Sequence, residues 1–226
     1  MTEMVDLDMT RRQVLRVALI VLLSVFTGVV AERFETRRRL GSSLCSDVPC
    51  PHFIARMTAI ESVIAQQSGD PVYLAIGDSI TEFAELQPIC GRKPLNAGIG
   101  WATSETFETH GSRLAALSKP DFIVVALGTN DATQRKTGFR ARMSRLLGSL
   151  RDYPLVVVPI PGGPGVTAAT EYNAALSQLG RPLAQPLTSI KTTDDGVHLA
   201  PSTYPLWKTS IKDAVEHLVC PQQPRM

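Results

Sequence analysis

The stretch "YLAIGDSITEF", residues 73 to 83, carries an apolar run into Gly77, an acid at Asp78 and a hydroxyl at Ser79 before a helix-like pattern begins. A strand that stops on glycine lets the chain turn sharply and holds the next hydroxyl at the sheet edge. Such a serine is either a nucleophile or a helix cap. As a nucleophile it needs a base to take its proton, and the base works best when a third group fixes its tautomer. Of the four histidines, His52 falls in a linker, His110 on the polar side of a helix and His217 near the end of the last helix. His198 belongs to "TTDDGVHLAPSTY", residues 192 to 204, with Asp195 three positions earlier and Gly196 between them. That short arc can bring a carboxylate to one ring nitrogen while the other faces a hydroxyl.

Acyl transfer also needs donors for the negative charge that develops on the carbonyl oxygen. The Ser79 backbone, the loop from Gly98 through Gly100 to Trp101, and the Asn130 amide are the candidates, with Asp78 and Asp131 beside them in supporting positions. Each has a plainer explanation alone: Ser79 and Asp131 suit helix N-caps, and Asn130 suits a turn. Together, at the ends of apolar strands, they point to a hydrolytic site.

The elements that must position these groups alternate. Strand-like runs cover Val72 to Ile76, Pro94 to Asn96, Phe122 to Leu127 and Leu155 to Ile160, with a weaker one near Leu187 to Ile190. Helical periodicity covers Phe53 to Gln67, Thr103 to Leu117, Phe139 to Leu150, Ala168 to Leu179 and Ser202 to Leu218. Strand and helix alternating at these lengths predict a mostly parallel sheet covered on both faces. Ligands then sit at the carboxyl ends of the strands, where "GDS", "GIGWAT" and "GTND" fall. The loop "PIPGGPG", residues 159 to 165, does not read as a phosphate site, and neither a P-loop nor a GxGxxG fingerprint occurs.

With 226 residues and 44% apolar content, the chain supports one substantial core plus extras. Lys+Arg 23 against Asp+Glu 21, a net charge of +2, argues against nucleic acid as a partner. The apolar segment "VALIVLLSVFTGVVA", residues 17 to 31, makes a helix of about 22 Å. That is short of a membrane core of about 30 Å and fits a signal-peptide core better. Before it, "TRRQVLR", residues 10 to 16, resembles a twin-arginine export signal in Arg11, Arg12, Leu15 and Arg16, with Val14 where Phe is usual. Small residues Val29 and Ala31 suit processing after Ala31; an uncleaved anchor and a buried N-terminal helix are the alternatives. The organisation expected is a signal or anchor over 1–31, a linker over 32–52, a catalytic domain over 53–220 and a tail over 221–226.

Cys45, Cys50, Cys90 and Cys220 have no CxxC spacing among them. In an exported protein disulfides are permitted. Cys45 to Cys50 with Cys90 to Cys220 is one of three complete pairings, and reduced core cysteines are the other possibility.

Four blocks carry a resemblance: "GDSI" at 77 to 80, "NAGIGWAT" at 96 to 103, "GTND" at 128 to 131 and "DGVH" at 195 to 198. In order and spacing the chain resembles the SGNH/GDSL hydrolases over roughly residues 72 to 218. The resemblance implies an α/β fold, a flavodoxin-like three-layer α/β/α sandwich around a mostly parallel sheet of about five strands. It makes Ser79 the nucleophile, His198 the base, Asp195 its orienting acid and Asn130 an oxyanion-hole donor. It implies no metal and no organic cofactor. Relatives usually have glycine where this chain has Trp101, so the backbone donor there belongs to Trp101, Gly100 or Gly98.

The activity implied is hydrolysis of carboxylic esters through an acyl-enzyme. Short acyl groups, including O-acetyl groups on envelope or extracellular glycans, are the preferred substrates for an exported enzyme. The expected location is the periplasm or, by an N-terminal helix in contact with the membrane, the inner membrane of a bacterium. An inactive glycan-binding protein of the envelope and an O-acyltransferase are the alternatives. Oligomeric state is not legible.

Overall fold

The structure is a computed structural model that describes residues 48–67 and 69–220. The predicted export segment, most of the linker, Cys45 and the C-terminal tail lie outside the described residues. Helix α1 (Cys50–Ala65) is followed by β1 (Val72–Gly77), α2 (Ser79–Glu82), β2 (Lys93–Gly98), α3 (Ser104–Ser118) and β3 (Phe122–Ala126). Then come α4 (Thr129–Thr133), α5 (Phe139–Ser149), β4 (Leu155–Val157), α6 (Ala169–Ser177) and α7 (Tyr204–Leu218).

The four strands form one parallel sheet in the order β2-β1-β3-β4. All six residues of β1 are buried, as a central strand covered on both faces requires. Because side chains alternate along a strand, Leu74, Ile76, Ile123 and Val125 enter one apolar cluster with Phe107 and Leu146 from α3 and α5. Tyr73, Ala75, Phe122 and Val124 enter a second with Trp207 and Ile211 of α7. Two helical layers on a central sheet are thus the expected sandwich.

A fifth strand near Leu187 to Ile190 does not form. Its place beside β4 is taken by a single parallel bridge between Val157 and Leu183. Leu187 and Ile190 instead pack as partly buried side chains against the second cluster. β4 likewise stops at Val157, three residues before the end of its apolar run, which continues through Pro159. Helix α1 begins at Cys50 and takes in His52, where a linker was expected.

Cys90 and Cys220 are joined in a disulfide with Cα atoms 5.9 Å apart, fastening the loop before β2 to the residue pair just past α7. The proposed partner pairing cannot be followed, since Cys45 is outside the described residues. Among the described residues no helix is long and apolar enough to cross a membrane.

Candidate active site

The central strand delivers the first group. A Cβ on Gly77 would stand 1.9 Å from Thr81 Oγ1, and one on Gly98 would stand 2.2 Å from the Glu82 nitrogen. Only glycines at these two paired positions let α2 fold back against the ends of β1 and β2. Asp78 caps α2, its Oδ1 accepting the Ile80 N–H at 3.0 Å. Ser79 is therefore the first helical residue and not the cap, which frees its hydroxyl for another partner.

That partner is His198, whose Nε2 lies 2.8 Å from Ser79 Oγ. Asp195 Oδ2 lies 2.5 Å from His198 Nδ1. The other carboxylate oxygen accepts from Val197 N at 2.8 Å, His198 N at 3.0 Å and Thr193 Oγ1 at 2.7 Å. The His198 bond first, then these donors, hold the Asp195 carboxyl well below the usual carboxylate range. An ionised Asp195 can only accept, so the ring proton stays on Nδ1 and Nε2 is left with a lone pair for the serine hydroxyl. Gly196, at φ +71°, makes the turn that brings acid and base together.

The His198 loop is seated by the segment that contains "PIPGGPG". The Gly165 N–H donates to Gly196 O at 3.0 Å. A Cβ at Gly163 would meet Gly196 O at 2.5 Å, and one at Gly165 would meet Val197 Cγ2 at 2.7 Å. Those glycines serve close approach of two loops. The sequence alone assigns them only to turns.

The remaining candidates fall around the same serine-bearing strand ends. Gly98 N donates to Asn96 Oδ1 at 2.9 Å and Gly100 N to Glu82 Oε2, so both N–H groups are engaged within the protein. The N–H groups of Ser79 and Trp101 have no hydrogen-bond partner among the described residues. Trp101 has φ +68° and is 61% exposed. A left-handed backbone costs a residue with a Cβ about 1–2 kcal/mol, and glycine would hold it freely. Asn130 is buried in α4 and donates to Ala102 O at 3.0 Å, using one of its two amide hydrogens.

Asp131 does not cap its own helix, whose N-cap is Gly128 at φ +122°. It reaches across to α3, where Oδ2 accepts Ser104 N at 2.8 Å and Oδ1 accepts Ser104 Oγ at 2.6 Å, with Arg142 3.3 Å away. The supporting role is to lock α3, and so the loop ahead of it, to the "GTND" turn. Asp78 is wholly buried, and loss of hydration pushes its carboxyl up to about 6 against the pull of the Ile80 N–H.

Phe83 and Glu82 were not legible as site residues. Phe83 is 63% exposed, and its ring centroid lies 5.5 Å from that of His198. Glu82 binds the turn that carries Trp101, together with His52 and Arg56 from α1. Their only sequence signal was proximity to Ser79 for the first two, and none for the α1 pair.

Solved structures share this fold. A lipase/acylhydrolase from Enterococcus faecalis is 19% identical, with a TM-score of 0.57 over 68% of this chain and 99% of its own. A GDSL-like lipase from Bacteroides thetaiotaomicron is 16% identical, with a TM-score of 0.56 over 72% of this chain and 97% of its own. An acetylxylan esterase from Geobacillus stearothermophilus is 16% identical, with a TM-score of 0.51 over 70% and 98%. At such identities the likeness shows the fold alone. No curated protein sequence matches the chain. Residues 75–209, spanning all four blocks, match the GDSL-like lipase/acylhydrolase family model, and the chain belongs to that family of ester hydrolases.

Proposed function

We propose that the protein is a serine esterase acting on short acyl esters, O-acetyl groups of glycans foremost, through an acyl-enzyme. The observation that carries this reading is the unbroken run of hydrogen bonds from Asp195 through His198 to Ser79, at 2.5 and 2.8 Å. Ser79 Oγ attacks the ester carbonyl as His198 Nε2 takes its proton. The oxyanion that forms is met by the N–H groups of Ser79 and Trp101 and by the second amide hydrogen of Asn130. His198 returns the proton to the leaving alcohol, and a water activated by the same nitrogen then cleaves the acyl-enzyme.

The surroundings of Ser79 support a short acyl group. An apolar cavity of about 280 Å³ lies between the sheet and α7, lined by Tyr73, Ala75, Val124 and Ile211, but by neither Ser79 nor His198. The exposed rings of Phe83 and Trp101 suit the apolar face of a sugar better than a buried tail. The test is a panel of acetyl, butyryl and longer esters with an acetylated glycan, run on the purified protein beside Ser79→Ala. Turnover of acetyl esters by the wild type alone is expected. Equal turnover by folded Ser79→Ala would remove the assignment.

We also infer export. The twin-arginine-like "TRRQVLR" and the apolar run behind it support this, as does a disulfide between Cys90 and Cys220, which persists in oxidising compartments. The envelope, the inner-membrane face included, is then the site of action. A reporter fused behind the signal should stop reaching the envelope when Arg11 and Arg12 are both changed to Lys. Unchanged transport would mean another export route.

A further inference from the structure

We propose that Glu82, with Arg56 and His52, is a positioning unit that holds the Gly98 to Trp101 turn so that the Trp101 N–H keeps one place relative to Ser79. The proposal rests on the esterase reading above. Glu82, only 12% exposed, gathers three donors: the Gly100 N–H and His52 Nε2 at 3.1 Å on Oε2, and Arg56 Nε at 3.2 Å on Oε1. Arg56 also donates to Gly98 O, from Nε at 3.1 Å and Nη2 at 2.7 Å. The turn is thus gripped at both ends. Arg56 takes the carbonyl of Gly98, and Glu82 takes the N–H of Gly100.

The residue that needs this grip is the next one. Trp101 sits in a left-handed backbone that a side chain disfavours, and such conformations persist only where the surroundings over-determine them. Its indole is mostly exposed and supplies little packing. The Ala102 N–H, donating to Ile99 O at 3.0 Å, closes the turn around Trp101, and the grip on Gly98 and Gly100 anchors that turn to α1 and α2. Removing the Glu82 carboxylate leaves the Gly100 N–H without its acceptor and the Arg56 guanidinium without its counter-charge. None of the three side chains hydrogen-bonds to Ser79 or His198 among the described residues, so their effect passes through the backbone. A Cβ at Gly100 would stand 3.1 Å from His52 Nε2 and 3.2 Å from Glu82 Oε2, so both side chains would have to give by a few tenths of an ångström.

The experiment compares the full chain with Glu82→Ala and Glu82→Gln in three readings. These are kcat and KM on an acetyl ester, inhibition by an alkylboronic acid that forms a tetrahedral adduct on serine, and amide hydrogen exchange across residues 96 to 103. In Glu82→Ala, kcat should fall roughly 10²-fold, approaching the loss of one oxyanion donor, with KM within about threefold. Boronate affinity should fall in parallel with kcat/KM, since both report transition-state binding, and exchange across 96 to 103 should rise. Glu82→Gln, which keeps one acceptor oxygen, should recover most of the exchange protection and about tenfold of the rate. Should Glu82→Ala fail to fold, Arg56→Ala takes its place, since it frees the Gly98 carbonyl and is expected to raise exchange and lower kcat in the same way. Unchanged exchange in the folded alanine variant overturns the proposal whatever the activity, and so does faster exchange with kcat unchanged. A wild type that turns over no ester overturns the esterase reading and the catalytic half of the proposal, while the exchange result still decides whether Glu82 holds the turn.

Discussion

His198 Nε2 stands 2.8 Å from Ser79 Oγ although 119 positions separate the two residues in the chain. The distance is set at the far side of the imidazole, where Asp195 is fixed by the three donors around its Oδ1. This fixes the outcome of Asp195→Asn. The amide oxygen must stay with those donors, so the amide nitrogen faces His198 Nδ1 and drives the ring proton to Nε2. A ring in that tautomer cannot accept from Ser79. The kcat loss should approach that of His198→Ala; in the worked serine-protease case, tautomer inversion of this kind costs about 10⁴. Steady-state kinetics on an acetyl ester checks it, and a loss of tenfold or less would mean that Asp195 does not set the tautomer.

Asp78 ties the site to pH through stability. Burial pushes its carboxyl up to about 6, against the pull of the Ile80 N–H and of Thr129. In the unfolded chain the value is about 3.9. The native state therefore holds the extra proton between these values. Its contribution is fully present below about pH 4 and is lost as the pH rises through about 6. Two pKa units correspond to about 3 kcal/mol. Asp78→Asn keeps an oxygen for the Ile80 N–H and does not titrate. Urea unfolding at pH 4 and pH 7 should show the wild type losing about 2–3 kcal/mol relative to the variant over that interval. Parallel changes in the two proteins would contradict the raised value.

The Gly77 to Ser79 turn, the parallel sheet and the Asp195 to His198 arc were legible because each is a local pattern. Apolar runs end on turn residues, and in D-G-x-H the acid and the histidine are three positions apart across a turn-forming glycine. What escaped was set by contacts between distant segments. His52 lay in an expected linker, and only the packing of α1 brings it to Glu82. Asp131 reads as a cap for its own helix, yet Gly128 holds the cap position and the Asp131 carboxylate accepts from Ser104 instead. The strand expected near Leu187 failed for a similar reason. An apolar run marks burial, but Leu183 holds the one bridge to β4, leaving Leu187 and Ile190 to pack on a helix-covered face.

Trp101 gives the most discriminating substitution. Its backbone is left-handed at φ +68°, a conformation glycine adopts without penalty. Trp101→Gly therefore relieves strain at the donor while loosening the unfolded chain, two effects of opposite sign and similar size, so stability should change by no more than about 1 kcal/mol. If the N–H alone serves the oxyanion, turnover of a small synthetic acetyl ester should stay within about tenfold of wild type, which corresponds to about 1.4 kcal/mol. The indole, 61% exposed, is expected to carry sugar contact, so the same variant should lose turnover on an acetylated glycan while sparing the small ester. Phe83→Ala should repeat that pattern, because its ring lies against His198 on the exposed side. Competition kinetics with both substrates in one assay reads the ratio directly. Equal losses on glycan and small ester would show that the indole shapes the oxyanion site and not the alcohol side, and an unchanged ratio in both variants would sink the sugar assignment.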